Sequence, residues 1–392
     1  MKIKCQPNDF KVEEIINLNL TKTGEYSIYK LDKRSWDTFD LLDFLSRKYK
    51  IKNVGRAGIK DRYSHSIQYI SVKDSKVQDI KEQNFNLQYI GKSQCPITQN
   101  NLEKNQFTIV IRDLAKQEAE TIIKKTDTVK IFGFPNYYDE QRMGSARANQ
   151  GFIAQKLMFE HYNGALKFYL AIASKYDDSK TRKLKKFIND NWGDWDKCLA
   201  ELKELGQYQY PLVYLVKHPK DFKGAIKTIR RDLLEMFISA YQAYIWNETI
   251  KRTFVNQGIK IYSKTYNFGQ LYFYNELNQT EFFYFKTLLI PAVSYKTVFN
   301  DENVNLALEQ VLKEESDKIG QDLTIKSFKL KLDIKGLFFK PYERKAIIIP
   351  ENINISGPAD DELYPSRQKL ALSFALPKGS YATILLKRVA SD

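Results

Sequence analysis

The chain has 392 residues, with 62 Lys and Arg against 47 Asp and Glu for a formal net charge of +15. Hydrophobic residues at 43% and aromatics at 14% exclude a wholly disordered chain, and the length exceeds what one core usually serves, so two domains are expected. Cys5, Cys95 and Cys198 form no C-x-x-C pair, which speaks against a disulfide framework or a zinc site, and no run approaches the roughly 18 apolar residues of a membrane span.

The positive balance favours a polyanionic partner, because each phosphate contact releases counterions, although a lysine-rich proteome produces the same excess. Met1 to Gln6 carries no apolar leader, so the chain reads as soluble and cytoplasmic, with reduced thiols. His65, His161 and His218 are isolated from one another, so no metal set is expected.

In chain order, Tyr26 to Leu31 alternates as a strand. Trp36 to Tyr49 reads as a helix with Leu41, Leu42, Leu45 and Tyr49 on one face and Asp37 or Thr38 as its cap. Val54 to Tyr63 places Asp61 between Lys60 and Arg62, after Gly55 and Gly58 and before a half-buried strand from Ser66 to Val72. Such glycines tolerate positive φ and let a bulky group approach the backbone, and the Asp is equally a turn former or a strand-end cap. Gln106 to Ile111 alternates, and Leu114 to Thr126 reads as a second helix.

Near Gly144 the pattern turns helical, through Ser145 to Tyr162, Gly164 to Ala173, Thr181 to Asn191 and Trp195 to Leu205. Arg231 to Phe254 is the longest helix expected, with Leu234, Ile238, Tyr241 and Ile245 at helical spacing, and Gln270 to Tyr274 and Glu281 to Leu289 are strand-like. From Gly336 the chain is β-rich again, at Ala346 to Pro350 and Lys369 to Leu376, before a last helix from Ser380 to Arg388. Sheet, helices and sheet again is the order that an inserted domain produces. The expected fold class is α+β: a mixed-sheet domain of residues 1–149 and 339–392 interrupted by a mainly helical α/β domain of residues 150–338.

Several stretches belong together. Pro7-Asn8-Asp9-Phe10-Lys11-Val12-Glu13-Glu14 resembles the P-x-D-F-x-V-E-E motif of the TruD family of tRNA pseudouridine synthases, and Ala57-Gly58-Ile59-Lys60-Asp61-Arg62 resembles its A-G-x-K-D-R segment. Asn105-Gln106-Phe107, the segment Pro135 to Gly144, Tyr241 to Asn247 and Leu376 to Thr383 are similar to further family segments, in the family's order. Asp139 and Met143 depart from it, standing where the family has Gly and Phe. Asp tolerates left-handed backbone and Met replaces an aromatic in an irregular contact, and an altered RNA contact is expected at Tyr138 to Met143.

The resemblance implies a pseudouridine synthase catalytic domain, an inserted RNA-recognition domain, and a tRNA substrate modified at uridine 13 of the D-arm. It implies Asp61 as catalytic carboxylate and Lys4 as its cation. Asn105 would donate to Asp61, Phe10 would stack on the extruded uracil, Phe107 would close the pocket, and Arg142 would bind phosphate or brace the Asp61 loop. Without the resemblance, the same residues read as core phenylalanines, a turn asparagine and solvated cations. No metal or organic cofactor is implied, and no protein partner, so a monomer is expected. A non-catalytic RNA-binding module is the alternative, since Gly55 to Gly58 has the G-x-x-G form of a backbone clamp. A glycosidase would need a second carboxylate, for which Glu13 and Glu14 stand open.

Overall fold

The computed structural model describes residues 1–75, 79–146, 151–174, 177–202 and 206–390. The chain divides into two compact units, Met1–Phe134 with Ile348–Asp392, and Pro135–Ile347. These breaks fall before and after the expected boundaries of 149/150 and 338/339, the first of which lies outside the described residues. The first break comes early because Tyr138 is fastened inside the second unit. Its backbone N–H donates to Asn247 Oδ1 at 2.9 Å and its carbonyl accepts from Asn247 Nδ2 at 2.9 Å.

Nine strands of the first unit form a mixed sheet: β1 (Phe10–Ile16), β2 (Tyr26–Arg34), β3 (Gly55–Arg56), β4 (His65–Lys73), β5 (Ile80–Lys81), β6 (Phe85–Ser93), β7 (Leu102–Leu114), β8 (Glu351–Asp360) and β9 (Gln368–Pro377). Their order is β8-β9-β7-β1-β4-β2-β6-β5, with β3 along β4. The β1–β4 pair is parallel and the neighbouring β1–β7, β2–β4 and β7–β9 pairs are antiparallel. Strand β8 is almost wholly exposed and escapes the apolar pattern. Its polar surface suits a sheet edge, where apolar alternation would invite pairing with another chain.

Helix α1 (Thr38–Tyr49) starts where Asp37 Oδ1 accepts from Phe39 N at 2.7 Å, so Asp37 is the cap. Its Leu41 and Leu45 are fully buried against Tyr29, Leu31, Ile70, Val72 and Leu87 of the sheet. Strand β4 is buried on both faces, not half-buried as its alternation predicts. The second face is covered where Ser71 Oγ accepts from Ile97 N at 2.8 Å, with Gly55 lying against both residues. Helix α2 (Lys116–Phe132) runs beyond the Thr126 expected, and packs on the C-terminal helix Ala382–Val389.

The second unit is mainly helical, built on Arg231–Asn256. Every residue from Ala240 to Thr249 except Glu248 is buried, since Glu302–Ile319, Ile153–Met158 and the short turn Glu140–Met143 pack around it. Gln279–Thr287 is a helix where a strand was expected. Asn278 Oδ1 accepts from Glu281 N at 3.0 Å and Glu281 Oε2 from Asn278 N at 2.8 Å, a reciprocal cap that outweighs the β-propensity of the aromatics. The expected helices Ser145 to Tyr162 and Trp195 to Leu205 narrow to Ile153–Met158 and Trp195–Ala200, and their residues 147–150 and 203–205 lie outside the described residues. Among the described residues no helix is long and apolar enough to cross a membrane.

Candidate active site

The Asp61 carboxylate sits on the loop between β3 and β4, with its side chain 45% exposed, and Oδ2 accepts from Lys4 Nζ at 3.1 Å. Lys4 reaches it from a segment clamped to β7. Lys2 and Arg112 exchange two backbone hydrogen bonds of 2.8 Å, after which Lys4 adopts φ +60. A non-glycine residue in that left-handed region costs on the order of 1 kcal/mol, and such strain persists where the surroundings fix it. The same ammonium lies 4.4 Å above the centroid of the Phe10 ring.

Phe10 and Phe107 meet across the β1–β7 ladder, their rings edge to face at 6.1 Å, and Phe107 stacks at 5.4 Å on Phe374 of β9. Phe10 is 6% exposed and Phe107 8%, so the aromatic row is closed over in this arrangement, and one face of Phe10 is covered by Lys4. Asn105 shares the face of Phe107 two residues along, opposite Glu14. Among the described residues its carboxamide makes no bond to Asp61. The carboxylate is turned to Lys4, and Asn105 Oδ1 is buried without a hydrogen-bond partner among the described residues.

Lys60 does not serve Asp61 either. Its Nζ pairs with Glu14 Oε1 at 2.7 Å, both side chains buried, and Glu14 Oε2 accepts from Tyr69 N at 3.0 Å. This removes Glu14 as a second free carboxylate. It also explains Gly58: a Cβ there would stand 3.1 Å from Lys60 Nζ and 3.2 Å from Glu14 Oε1. A Cβ on Gly55 would stand 2.4 Å from Ser71 Oγ and 2.8 Å from Ile97 O. Neither glycine has positive φ, so both make room for the protein's own groups where access for a substrate was expected.

Arg142 belongs to the second unit, where its exposed side chain borders a hollow of about 290 Å³ with Asp232, Glu235, Lys340 and Tyr342. Asp139 has φ −84, ordinary extended backbone that needs no glycine, and its carbonyl accepts from Arg142 N at 2.9 Å. Met143 is fully buried and Asp139 nearly so, which makes the two altered positions matters of packing and leaves Gln141 and Arg142 as the exposed side chains of that turn.

Sequence reasoning missed three supports of the site. Asp9, buried, accepts from Gln6 N at 2.9 Å and from Arg112 Nε at 3.0 Å, and so fixes the turn between Lys4 and Phe10. Phe374 backs Phe107. Lys33, fully buried, lies beneath the Asp61 loop. A signal for two buried charges was present: Glu14 is in phase with Phe10 and Val12, and Lys33 with Tyr29 and Leu31, so each is a charge at an inward position of its strand.

Residues 1–389 match the family described as tRNA pseudouridine synthase D (TruD). The chain is 34% identical over 397 residues to probable tRNA pseudouridine synthase D 2 of Methanocaldococcus jannaschii, covering 99% of this chain and 91% of that one. It is 29% identical over 397 residues to tRNA pseudouridine synthase D of Aquifex aeolicus, with 99% and 98% covered. The crystal structure assigned to tRNA pseudouridine synthase D of Methanosarcina mazei is similar at a TM-score of 0.72 and 25% identity, over 99% of this chain and 93% of that one.

Proposed function

The chain belongs to the TruD family of tRNA pseudouridine synthases, isomerases of tRNA, and we propose that it converts uridine 13 of the D-arm to pseudouridine with Asp61 as the catalytic carboxylate. The observation that carries this reading is the Lys4 ammonium at 3.1 Å from an exposed Asp61 carboxylate, beside the Phe10, Phe107 and Phe374 row.

The reaction breaks N1–C1′, turns the uracil in place and joins its C5 to C1′. Asp61 either attacks C1′ or takes the C2′ proton, and each role requires the ionised carboxylate for which Lys4 supplies the counter-charge. The extruded uracil would stack on Phe10, which requires Lys4 to move off that ring face as substrate enters. Mapping pseudouridine in total RNA with and without the gene tests the reading. Loss of the signal at tRNA uridine 13 is expected, and an unchanged map overturns it. With purified protein, the RNA should retain its mass while the base connectivity changes. Released uracil would indicate a glycosidase, and untouched uridine a binding module.

The second unit, on this reading, selects the RNA. In the helix Ser179–Asp190 the cations Lys180, Arg182, Lys183 and Lys186 are exposed, whereas Lys185 is buried and paired with Asp177 at 2.8 Å. Lys185 therefore does not count among these exposed cations, because it shares the inward face with Ile188. Replacing Lys183 and Lys186 together by Ala should weaken tRNA binding and lower the salt slope by up to about 2, with the single-turnover rate at saturating RNA unchanged. Affinities measured at several salt concentrations check this; an unchanged slope would mean that the helix faces solvent in the complex.

A further inference from the structure

The chemistry described above leaves Lys33 without a task, although it lies directly under the reacting carboxylate's backbone. Its Nζ donates to the carbonyls of Trp36 at 2.7 Å, Lys60 at 3.3 Å and Asp61 at 3.3 Å. Thr38 Oγ1 accepts from Lys60 N at 3.0 Å, and Ser64 Oγ donates to Asp61 O at 2.8 Å. The backbone on both sides of Asp61 is thus tied to β2, to the first turn of α1 and to its own return into β4. A fully buried lysine is costly unless its charge is used, and no carboxylate hydrogen-bonds to this one among the described residues.

We propose that Lys33 is a positioning residue for Asp61, its ammonium gathering three loop carbonyls so that the carboxylate is presented to Lys4 and the substrate. This deepens the reading of Asp61 given above and rests on it. The charge matters through geometry. An ammonium has three N–H donors for three carbonyls, whereas a neutral amine has two, and its lone pair is then left facing an oxygen.

Burial pushes Lys33 down to about 8; Asp37 and Asp61 oppose that fall and Lys60 adds to it. Across the ladder it faces Ser66 of β4 and Phe85 of β6, neither of which titrates. The protonated form holds the loop, so the rate should be full below about pH 8 and fall above it. Stability has the opposite sign. A lysine held below its ordinary value disfavours the fold while it is charged, so this group makes the protein no less stable as pH rises through the same interval. A rate lost near that pH without a lower melting temperature separates positioning from unfolding.

The experiment compares full-length wild type with Lys33→Met, following single-turnover pseudouridine formation and affinity on a tRNA transcript from about pH 6.5 to 9.5. The variant should be roughly 10- to 100-fold slower at neutral pH, bind RNA nearly as tightly, and lack the alkaline limb. A variant with wild-type rate and the same limb would overturn the proposal. Should Lys33→Met not fold, wild type still decides: a flat profile across that range, with the protein folded throughout, overturns the role. Wild type that makes no pseudouridine at any pH sinks the functional reading itself, a different result from an active wild type that Lys33→Met leaves unchanged.

Discussion

Asp61→Asn is expected to lower the single-turnover rate of pseudouridine formation by about 10³-fold or more while leaving tRNA affinity within a factor of about two. The substitution keeps the shape of the side chain, and the amide oxygen can still accept from Lys4 Nζ, which stands at 3.1 Å from Oδ2 in the wild type, so the loop has no reason to rearrange. What disappears is the anionic oxygen that either attacks C1′ or removes the C2′ proton. Affinity should hold because most contacts to nucleic acid are made with the backbone and do not involve this carboxylate. The decisive measurement is a chase of stoichiometric enzyme and labelled tRNA, with binding measured separately. A variant within about tenfold of the wild-type rate would remove Asp61 from the chemistry, since positioned acid–base groups contribute more than that.

The second large effect concerns stability. Arg112 is 4% exposed and joins three carboxylates: Nε is 3.0 Å from both oxygens of Asp9, one terminal nitrogen is 2.8 Å from Asp361, and the other is 3.0 Å from Glu362. Arg112→Met should destabilise the first unit by roughly 3–5 kcal/mol, because Asp9 and Asp361 are then left buried without a counter-charge. The cost of removing one partner exceeds what the intact cluster itself contributes. A urea titration should show a lower midpoint at unchanged slope. A loss below about 1 kcal/mol would mean that water reaches the two carboxylates once the guanidinium is gone. Turnover should fall as well, since Asp9 shapes the turn that joins Lys4 to Phe10.

Several features of this protein are determined by its sequence alone, because they rest on local physics. Helix α1 could be read from four apolar residues on one face and from Asp37 at its start, and the long helix from the spacing of Leu234, Ile238, Tyr241 and Ile245. The family could be read from six short segments in order, and with it the candidate residues of the site. The helix Gln279–Thr287 is also legible through the Asn278 and Glu281 cap, but the aromatic run that follows it, Phe282 to Phe285, has the composition of a strand.

Only the tertiary structure decided which charges meet. Lys4 and Asp61 are 57 positions apart, Lys60 and Glu14 46, and Arg112 and Asp361 249. No local periodicity carries such pairings; they follow from strand order, which sets β1 between β4 and β7 and brings the C-terminal β9 against β7. The same order explains why Gly55 and Gly58 serve packing and why Lys33 lies under the Asp61 loop. A charged residue in phase with apolar neighbours announces that a charge will be buried, but its partner depends on which strand the fold lays beside it.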